Sequence, residues 1–445
     1  MTRIYFRAPG ERGRPPGKAD LILDLEEQGC EAGLPLHHNL WSLPRPAGTA
    51  GEAVGSALLT AVAVWAADKI LPRSVTPDAW TRDITLMLPA SAAWAGLRRP
   101  LEELLQFLTG DRWRLEFREA ELALPVSGSR ESSFVAEAVV LFSGGLDSLA
   151  GAIDLLRDGQ RLLLVSHYDY GQLAQVQQAL ATALAEHFGP DHVQHLAVRL
   201  QCPEALELTL RSRSFLYLTL GLTAAAGFGP EVPVVVPENG WIALNPPLTL
   251  NRLGAYSTRT AHPRFLQGLA SLWQAMGLEH PLVNPYAWLT KGEVLARCRN
   301  PDLLDRLAPL SVSCARPVAS RWRRLGRGSC GYCYPCLLRR AALHRVDMDD
   351  AGHYLRDALA DPEVFRGRVT GADLRALLLA LKTWQTAPEA ILARVVPPGA
   401  PDTGREATWE QIHRLLAAGF AEVAALLRDR GGPWLREYLG RGREG

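Results

Sequence analysis

Positive and negative charges are almost equal in this sequence, and lysine is scarce. Among 445 residues there are 48 Lys and Arg and 47 Asp and Glu, which leaves a net charge of +1. A chain with this balance has no global electrostatic field that would attract a polyanion. We therefore expect no direct binding of nucleic acid, and we attach functional meaning only to local clusters of charge.

Long hydrophobic runs are also missing. The longest apolar run, residues 53–67, is shorter than the ~20 residues that cross a bilayer, so we predict a buried helix there. Residues 1–16 are polar and basic, without the apolar segment of a signal peptide. We expect a cytoplasmic protein that makes no contact with a membrane.

The sequence also lacks the signs of a disulfide framework and of a Walker phosphate loop. The seven cysteines are odd in number and four of them lie between residues 314 and 336, which argues against a disulfide framework. No segment matches the G-x-x-x-x-G-K-[ST] loop of enzymes that transfer phosphoryl groups by the Walker mechanism. Chemistry on a nucleotide would therefore need a different loop.

The stretch 139–148, Val-Val-Leu-Phe-Ser-Gly-Gly-Leu-Asp-Ser, supplies such a loop. Four apolar residues predict a buried strand, and helical apolar spacing follows from residue 149. Two glycines let backbone N–H groups approach an anion, and the helix N-terminus adds its dipole. Asp147 offers a carboxylate for Mg²⁺ or a ribose hydroxyl. The candidate ATP-binding residues are Leu141, Ser143, Gly144, Gly145, Leu146, Asp147 and Ser148.

The Ser-Gly-Gly-x-Asp-Ser pattern resembles the PP-loop of the N-type ATP pyrophosphatases. These enzymes adenylate an oxygen of their substrate, so that AMP becomes the leaving group and pyrophosphate stays in the loop. The purely structural alternative is a Gly-Gly turn with a Ser or Asp helix cap.

Strand and helix patterns alternate from residue 134 to about 237. Apolar strands are predicted at 139–142, 162–166, 192–198 and 232–236, with helices at 173–188 and 214–226. This alternation indicates βαβ units and a doubly wound parallel sheet, in which ligands bind beyond the carboxyl ends of the strands. The predicted fold class is α/β of the PP-loop ATP pyrophosphatase type.

Three domains are predicted along the chain. Residues 1–130 form a small N-terminal α/β domain, residues 134–348 form the PP-loop ATPase domain, and residues 349–445 form a helical C-terminal region. In the first domain, strands are predicted at 4–6, 21–23, 84–88 and 113–117, and helices at 53–71 and 97–108. His37 and His38 are predicted to lie on a loop.

The second strand of the ATPase domain ends in His-Tyr-Asp-Tyr-Gly-Gln, residues 167–172, and a later helix opens with Arg-Ser-Arg, residues 211–213. In these segments the chain resembles the 7-cyano-7-deazaguanine synthases (QueC), whose second strand ends in Asp-Tyr-Gly-Gln. The resemblance implies that Arg213 contacts ATP phosphates. It also implies that Tyr170 and Gln172, with Asp169 beside them, face the nucleotide or the base. A β-turn with a helix cap is the structural alternative for these residues.

The segment Thr-Lys-Gly-Glu at 290–293 is similar to a lysine-containing helix start of the synthases, which implies that Lys291 neutralises phosphate charge. The chain departs from the family after residue 237, because the Tyr-Pro-Asp-Cys-Arg element of the synthases is missing. Glu238 and Asn239 take its place as candidates for base recognition, since both directly follow a predicted core strand. Glu238 would accept from an exocyclic amine and Asn239 would read the base edge; a capped turn is the alternative.

Cys330, Cys333 and Cys336 are spaced Cys-x-x-Cys-x-x-Cys, and Cys314 lies upstream. Four thiolates suit a tetrahedral structural zinc site, and an iron–sulfur cluster is the alternative. The synthases carry Cys-x8-Cys-x2-Cys-x2-Cys. The first gap is longer here, and residues 315–329 contain five arginines.

The resemblance covers about residues 136–345 and implies an ATP-dependent C–N ligase or synthase that forms AMP and pyrophosphate. It would adenylate a 7-deazaguanine carboxylate for amide and nitrile formation, with ATP, Mg²⁺ and Zn²⁺ bound. The enlarged chain looks like the QueC-like proteins of bacterial anti-phage defence systems of the Qat type, which implies protein partners. Two alternatives stay open: transfer of the activated deazaguanine to an amine of a partner protein, and a non-catalytic nucleotide sensor in a defence complex.

Overall fold

A computed structural model of the chain describes residues 2–11, 15, 17–25, 33–46, 50–118, 126, 134–168, 171–250, 259, 261–315, 329–395 and 409–440. The chain divides into two compact units. Unit 1 comprises Met1–Ser143, Gly159–Val236 and Tyr256–Asn284, and unit 2 comprises Gly144–Asp158, Pro237–Ala255 and Pro285–Gly445. Each unit is therefore assembled from segments that are distant in the sequence. The domain boundaries near residues 130 and 348 stay predictions.

Strands and helices are numbered along the chain. The strands are β1 (Thr2–Arg7), β2 (Leu21–Asp24), β3 (Leu34–Pro35), β4 (His37–His38), β5 (Asp83–Pro89), β6 (Arg112–Arg118), β7 (Ala138–Leu141), β8 (Leu162–Tyr168), β9 (Val193–Gln201), β10 (Val234–Val235) and β11 (Leu282–Val283). The helices are α1 (Ala50–Ile70), α2 (Ala92–Gly96), α3 (Arg98–Thr109), α4 (Leu146–Arg157), α5 (Gly171–Phe188), α6 (Arg213–Ala226), α7 (Gly240–Leu244), α8 (Pro263–Ala275), α9 (Lys291–Ala296), α10 (Pro301–Leu307), α11 (Tyr334–Arg345), α12 (Pro362–Arg366), α13 (Ala372–Thr386), α14 (Pro388–Val395), α15 (Trp409–Arg430) and α16 (Pro433–Gly440).

The described residues of unit 1 form two sheets. The first has the order β3-β2-β1-β5-β6, and all of its strand pairs are parallel. The second has the order β11-β10-β7-β8-β9-β4, in which only the β4–β9 pair is antiparallel. The prediction of an α/β fold with a doubly wound parallel sheet is confirmed.

The centre of the second sheet is β7, the strand that precedes the predicted phosphate loop. Val139 pairs with Leu163 of β8 on one side and with Val234 of β10 on the other. The chain therefore winds outward from β7 in both directions, so the gap between the ends of β7 and β10 is the topological switch point. Helix α6 approaches this sheet closely, since a Cβ on Gly221 would lie 2.8 Å from Leu141 Cδ2.

Helix α1 contains the apolar run, residues 53–67, that was predicted to be a buried helix. The helix is long enough and apolar enough to cross a membrane, yet its residues from Ala53 to Ile70 are buried within the fold. Burial of this kind is typical of a central helix in a globular core. The prediction of a buried helix is confirmed.

The placement of His37 and His38 on a loop was wrong. These two residues form β4, which pairs with Leu200 and Gln201 at the edge of the second sheet. The pairing partner lies far away in the sequence, and two residues are too few to show a strand periodicity.

Unit 2 is mainly helical among its described residues. Its core is built from α7, α11, α13 and α15, with Trp241, Leu337, Leu377 and Phe420 buried against one another. Trp241 meets Phe420 edge-on at a centroid distance of 4.8 Å, and its indole N–H donates to the Tyr334 hydroxyl. The C-terminal helices thus share one hydrophobic core with the segment that begins at Pro237.

Candidate active site and cysteine cluster

The predicted phosphate loop turns at Gly144 and enters α4 at Gly145. Gly144 has a φ of +81°, a left-handed conformation that costs other residues about 1–2 kcal/mol. Gly145 is extended and is the N-cap residue of α4. Within unit 2, the N–H of Val312 donates to the Gly144 carbonyl at 2.9 Å, and the Ser148 hydroxyl donates to the Gly145 carbonyl at 3.0 Å. The pattern therefore forms a tight turn that leads directly into a helix.

Asp147 lies in the first turn of α4 and is 5% exposed. Its Oδ1 lies 2.7 Å from Lys291 Nζ, and its Oδ2 accepts from Asn239 Nδ2 at 2.7 Å. Burial opposes ionisation of the carboxyl group, but the Lys291 charge and the hydrogen bonds outweigh it and lower the pKa of Asp147 below its ordinary value. Asp147 is therefore a buried carboxylate with a cationic partner.

The two partners of Asp147 are held by helix caps. Asn239 is the fully buried N-cap residue of α7, and its side chain accepts from the Ile242 N–H. Lys291 is the first residue of α9, whose N-terminus is closed by a capping box between Thr290 and Glu293. These caps satisfy helix N–H groups and fix where each helix begins.

Glu238 is the fourth member of this group and is partly buried. Burial and the nearby Asp147 carboxylate raise the pKa of Glu238 to about 8. The Asn239 amide donates to Asp147 Oδ2 at 2.7 Å and to Glu238 Oε1 at 3.4 Å, so the two carboxyl groups lie side by side. The opposite directions of their pKa shifts favour a protonated Glu238 beside an ionised Asp147. Two adjacent carboxyl groups are a donor set that could hold a hard divalent cation.

Two segments of the group directly follow neighbouring strands along the chain. The loop leaves β7 after Leu141 and the Glu238-Asn239 pair leaves β10 after Val235, and these strands are parallel neighbours. Parallel neighbours end at the same edge of a sheet, and ligands of open α/β sheets bind beyond that edge at the switch point. Asp147, Glu238, Asn239 and Lys291 all belong to unit 2.

The other predicted site residues belong to unit 1 or lie outside the described residues. Arg213 opens α6, and its guanidinium donates to His167 Nδ1 at 3.2 Å and to the His167 carbonyl at 2.9 Å. Gln172 is exposed in the first turn of α5. Asp169 and Tyr170 lie outside the described residues. The roles predicted for these four residues stay predictions.

Sequence reasoning missed several supporting contacts. The Gln177 amide donates to the carbonyls of Ser143 and His167 at 3.3 and 3.4 Å, which ties the residue before the turn to strand β8. Asp68 accepts from the backbone and hydroxyl of Ser212, directly before Arg213. Neither contact has a sequence signal, because each joins residues that are distant along the chain.

The four predicted metal-ligating cysteines meet in unit 2. The Sγ atoms of Cys314, Cys330, Cys333 and Cys336 all lie within 4.8 Å of one another. Individual Sγ–Sγ distances are 3.9 Å for Cys314–Cys333, 3.8 Å for Cys330–Cys336 and 3.3 Å for Cys333–Cys336. A tetrahedron with Zn–S bonds of about 2.3 Å has sulfur–sulfur edges of about 3.8 Å. The donor set and its size therefore fit a tetrahedral metal ion.

Backbone groups around the cluster complete this fit. The N–H groups of Cys330 and Cys333 donate to the Sγ atoms of Cys314 and Cys330, each at 3.4 Å. Gly331 has a φ of +82°, and a Cβ there would lie 1.9 Å from the Arg356 carbonyl oxygen. Donors to sulfur stabilise thiolates, so these two N–H groups favour the form of Cys314 and Cys330 that binds a metal.

Comparison with known proteins shows sequence similarity to one enzyme family. The QueC family model, described as queuosine biosynthesis protein QueC, matches residues 137–213. The 7-cyano-7-deazaguanine synthase of Novosphingobium aromaticivorans is 30% identical over 238 residues, which cover 49% of this chain and 94% of that protein. The synthase of Agrobacterium fabrum is 24% identical over 238 residues, covering 48% and 91%. The synthase of Parasynechococcus marenigrum is 26% identical over 234 residues, covering 48% and 94%. No solved structure matches the chain.

Proposed function

This chain belongs to the 7-cyano-7-deazaguanine synthase (QueC) family, and we propose that it uses ATP to activate the carboxylate of a 7-deazaguanine. The observation that carries the proposal is the meeting of Asp147, Lys291, Asn239 and Glu238 behind the Gly144-Gly145 turn. The turn and the helix start supply N–H donors for phosphate oxygens. Asp147, Glu238 and Lys291 supply the carboxyl groups for a divalent cation and a positive charge, which would offset the negative charge of the phosphates when ATP is split between its α and β phosphates.

The proposed reaction forms the amide in two steps and the nitrile in a second activation. A carboxylate oxygen of the deazaguanine attacks the α-phosphorus of ATP, and the bond to the β-phosphate oxygen breaks to release pyrophosphate. Ammonia then attacks the carbonyl carbon of the acyl-adenylate and loses a proton. AMP leaves with the former carboxylate oxygen, and the amide is formed. For the nitrile, the amide oxygen attacks the α-phosphorus of a second ATP and pyrophosphate leaves. AMP then leaves with that oxygen while the nitrogen loses its two protons, which gives the nitrile. The protein's part is to position the reactants and to stabilise charge.

Asp147 and Glu238 would hold a divalent cation, which would neutralise charge on the phosphates. In the structure Lys291 balances the charge of Asp147 at 2.7 Å. With a cation on the carboxylates, Lys291 would be available to phosphate oxygens. The hydrogen bond from Asn239 to Asp147 Oδ2 would keep the carboxylate oriented throughout.

Glu238 thus has two proposed roles. The sequence indicated that it recognises the exocyclic amine of the base. Both carboxyl groups accept from the Asn239 amide, and this adjacency favours the role of a second cation ligand for Glu238. The two roles differ in experiment: a cation ligand changes the dependence on Mg²⁺ concentration, whereas a base reader changes affinity for the deazaguanine.

The cysteine cluster would hold zinc. Four thiol groups with no other ligand type form a closed structural site rather than a catalytic one. Zinc would stabilise the turn that leads into α11, whose N-cap residue is Cys333.

The amine acceptor and the biological setting belong to the same proposal. Ammonia is the acceptor of the synthase reaction, and an amine on a partner protein is the alternative that the additional regions suggest. An anti-phage defence role rests on the enlarged architecture alone. A non-catalytic nucleotide sensor is less favoured, since Asp147, Ser143 and Ser148 are all present.

The proposal is tested by incubating the full chain with ATP, Mg²⁺ and 7-carboxy-7-deazaguanine, with and without ammonium. Nucleotides are separated by chromatography, and every component is weighed by mass spectrometry. We expect AMP and pyrophosphate in equal amounts, and amide or nitrile when ammonium is present. A mass increase on a protein would identify the transfer alternative. ADP with phosphate, or no consumption of ATP, would refute the proposal.

A further inference from the structure

Helix α15 lies outside the part of the chain that resembles the synthases, yet it contacts the start of the helix that carries Lys291. The Glu422 carboxylate accepts from the Thr290 hydroxyl and from the Gly292 N–H at 3.3 Å. Arg345 of α11 donates to the same carboxylate at 2.7 Å. The Glu422 side chain is 8% exposed. Its contacts therefore flank Lys291 on both sides in the sequence.

A second residue of α15 reaches the other half of the same helix cap. Arg414 donates to Glu293 Oε1 at 2.6 Å and to the Trp288 carbonyl. Glu293 is the residue that closes the capping box with Thr290. Both polar side chains of the cap are thus bonded to α15.

The same helix also packs on α7, whose N-cap residue Asn239 binds Asp147. A Cβ on Gly419 would lie 2.1 Å from Trp241 Cε3, so only glycine allows this approach. A Cβ on Gly240, the first residue of α7, would lie 2.7 Å from Leu415 Cδ2. Helix α15 therefore lies against both short helices that hold the partners of Asp147.

We propose that α15 is part of the active-site framework and that Glu422 is a positioning residue for Lys291. Helix α9 has six residues, and a helix that short is not stable by itself. Its first turn is fixed by contacts from outside, and Glu422 supplies two of them. The statement that Lys291 acts on ATP rests on the proposed function, whereas its positioning by Glu422 can be measured without ATP.

The test uses the scarcity of lysine. The chain has four lysines, of which Lys18 and Lys382 are exposed, whereas Lys69 and Lys291 are each 9% exposed. The full chain is treated with an amine-reactive ester, and acylation of each lysine is followed over time by peptide mass spectrometry. Lys69, in unit 1, reports any general loosening of the fold.

Glu422→Ala should raise the acylation rate of Lys291 by about tenfold, the effect of losing one buried hydrogen bond to a charged group. Lys69 should be unchanged. The matched control is Asp429→Asn, because Asp429 also joins α15 to α11, through His344 at 3.0 Å, and should leave Lys291 unchanged. If the alanine variant does not fold, Glu422→Gln keeps the length and one acceptor and should raise the rate by about threefold.

Three results would refute the positioning role: an unchanged Lys291 rate, equal increases at Lys291 and Lys69, or an equal effect of Asp429→Asn. AMP formation by the unmutated protein is measured in parallel. Unchanged acylation together with normal AMP formation would refute the positioning role alone. A selective increase of Lys291 acylation in Glu422→Ala, together with no AMP formation by the unmutated protein, would support the positioning role and refute the proposed function.

Discussion

Replacing Glu238 by glutamine should stabilise the protein at alkaline pH and have little effect at acid pH. The pKa of Glu238 is raised to about 8 in the folded protein, against an ordinary value of 4.5, by burial and by the Asp147 carboxylate. Between these values the folded protein keeps a proton that the unfolded chain releases. The free energy of unfolding therefore falls as the pH rises from about 4.5 to about 8. Glutamine has no proton to lose and removes this dependence.

The size of the effect follows from the same values. The difference between a pKa of about 8 and one of 4.5 corresponds to about 5 kcal/mol as an upper limit. Glu238 is partly exposed, and water screens its interaction with Asp147, so we expect about 2 kcal/mol. For a chain of 445 residues, with an unfolding entropy of about 2.1 cal/mol/K per residue, that raises Tm by about 2 °C at pH 8.5. At pH 5 the two proteins should differ little.

The assay is thermal unfolding of the wild-type protein and Glu238→Gln from pH 5 to pH 9, without divalent cations and without a chelator that would remove zinc. Glu410→Gln is the control, since Glu410 is an exposed glutamate of α15, and it should follow the wild-type curve. Added Mg²⁺ should then stabilise the wild-type protein more at pH 8.5 than at pH 6, because the cation competes with the proton on Glu238. Parallel curves for the wild-type protein and Glu238→Gln at every pH would refute the coupling between the two carboxyl groups.

Two further predictions concern the buried groups of unit 2. Cys333→Ser should abolish stoichiometric zinc and lower the unfolding temperature, because a structural metal contributes to folding; elemental analysis that finds no zinc in the freshly purified wild-type protein would contradict this. Asp147→Ala should destabilise the protein by about 3 kcal/mol, since it leaves the 9%-exposed Lys291 without its partner. Adding Lys291→Met should recover most of that loss in urea unfolding, and strictly additive losses would show that the ion pair does not hold the two residues together.

Much of the fold could be predicted because its strands are apolar runs at regular spacing. The predicted strand at 162–166 lies within β8, the predicted strand at 192–198 begins one residue before β9, and the predicted helix at 214–226 begins one residue after the start of α6. Local pattern is sufficient where a strand is buried on both faces. It is insufficient for β4, whose two residues are extended only because they pair with a distant strand.

The candidate site could be predicted in part, for a similar reason. The loop and Asp147 form a contiguous motif, and the Cys-x-x-Cys-x-x-Cys spacing brings three thiols together locally. The Asp147–Lys291 pair joins residues from two distant segments, so nothing in the spacing indicates it. The Thr-Lys-Gly-Glu segment at 290–293 was noticed only as a helix start similar to that of the synthases. Its capping box was not predicted, and its contacts with Glu422 and Arg414 depend on the packing of α15.

The central claim is that a substrate carboxylate attacks the α-phosphorus of ATP. The most direct measurement uses 7-carboxy-7-deazaguanine labelled with oxygen-18 in its carboxylate, incubated with ATP, Mg²⁺, ammonium and the full chain. We predict that one labelled oxygen appears in the phosphate of AMP and that pyrophosphate stays unlabelled. Unlabelled AMP, or label in pyrophosphate or inorganic phosphate, would contradict the claim.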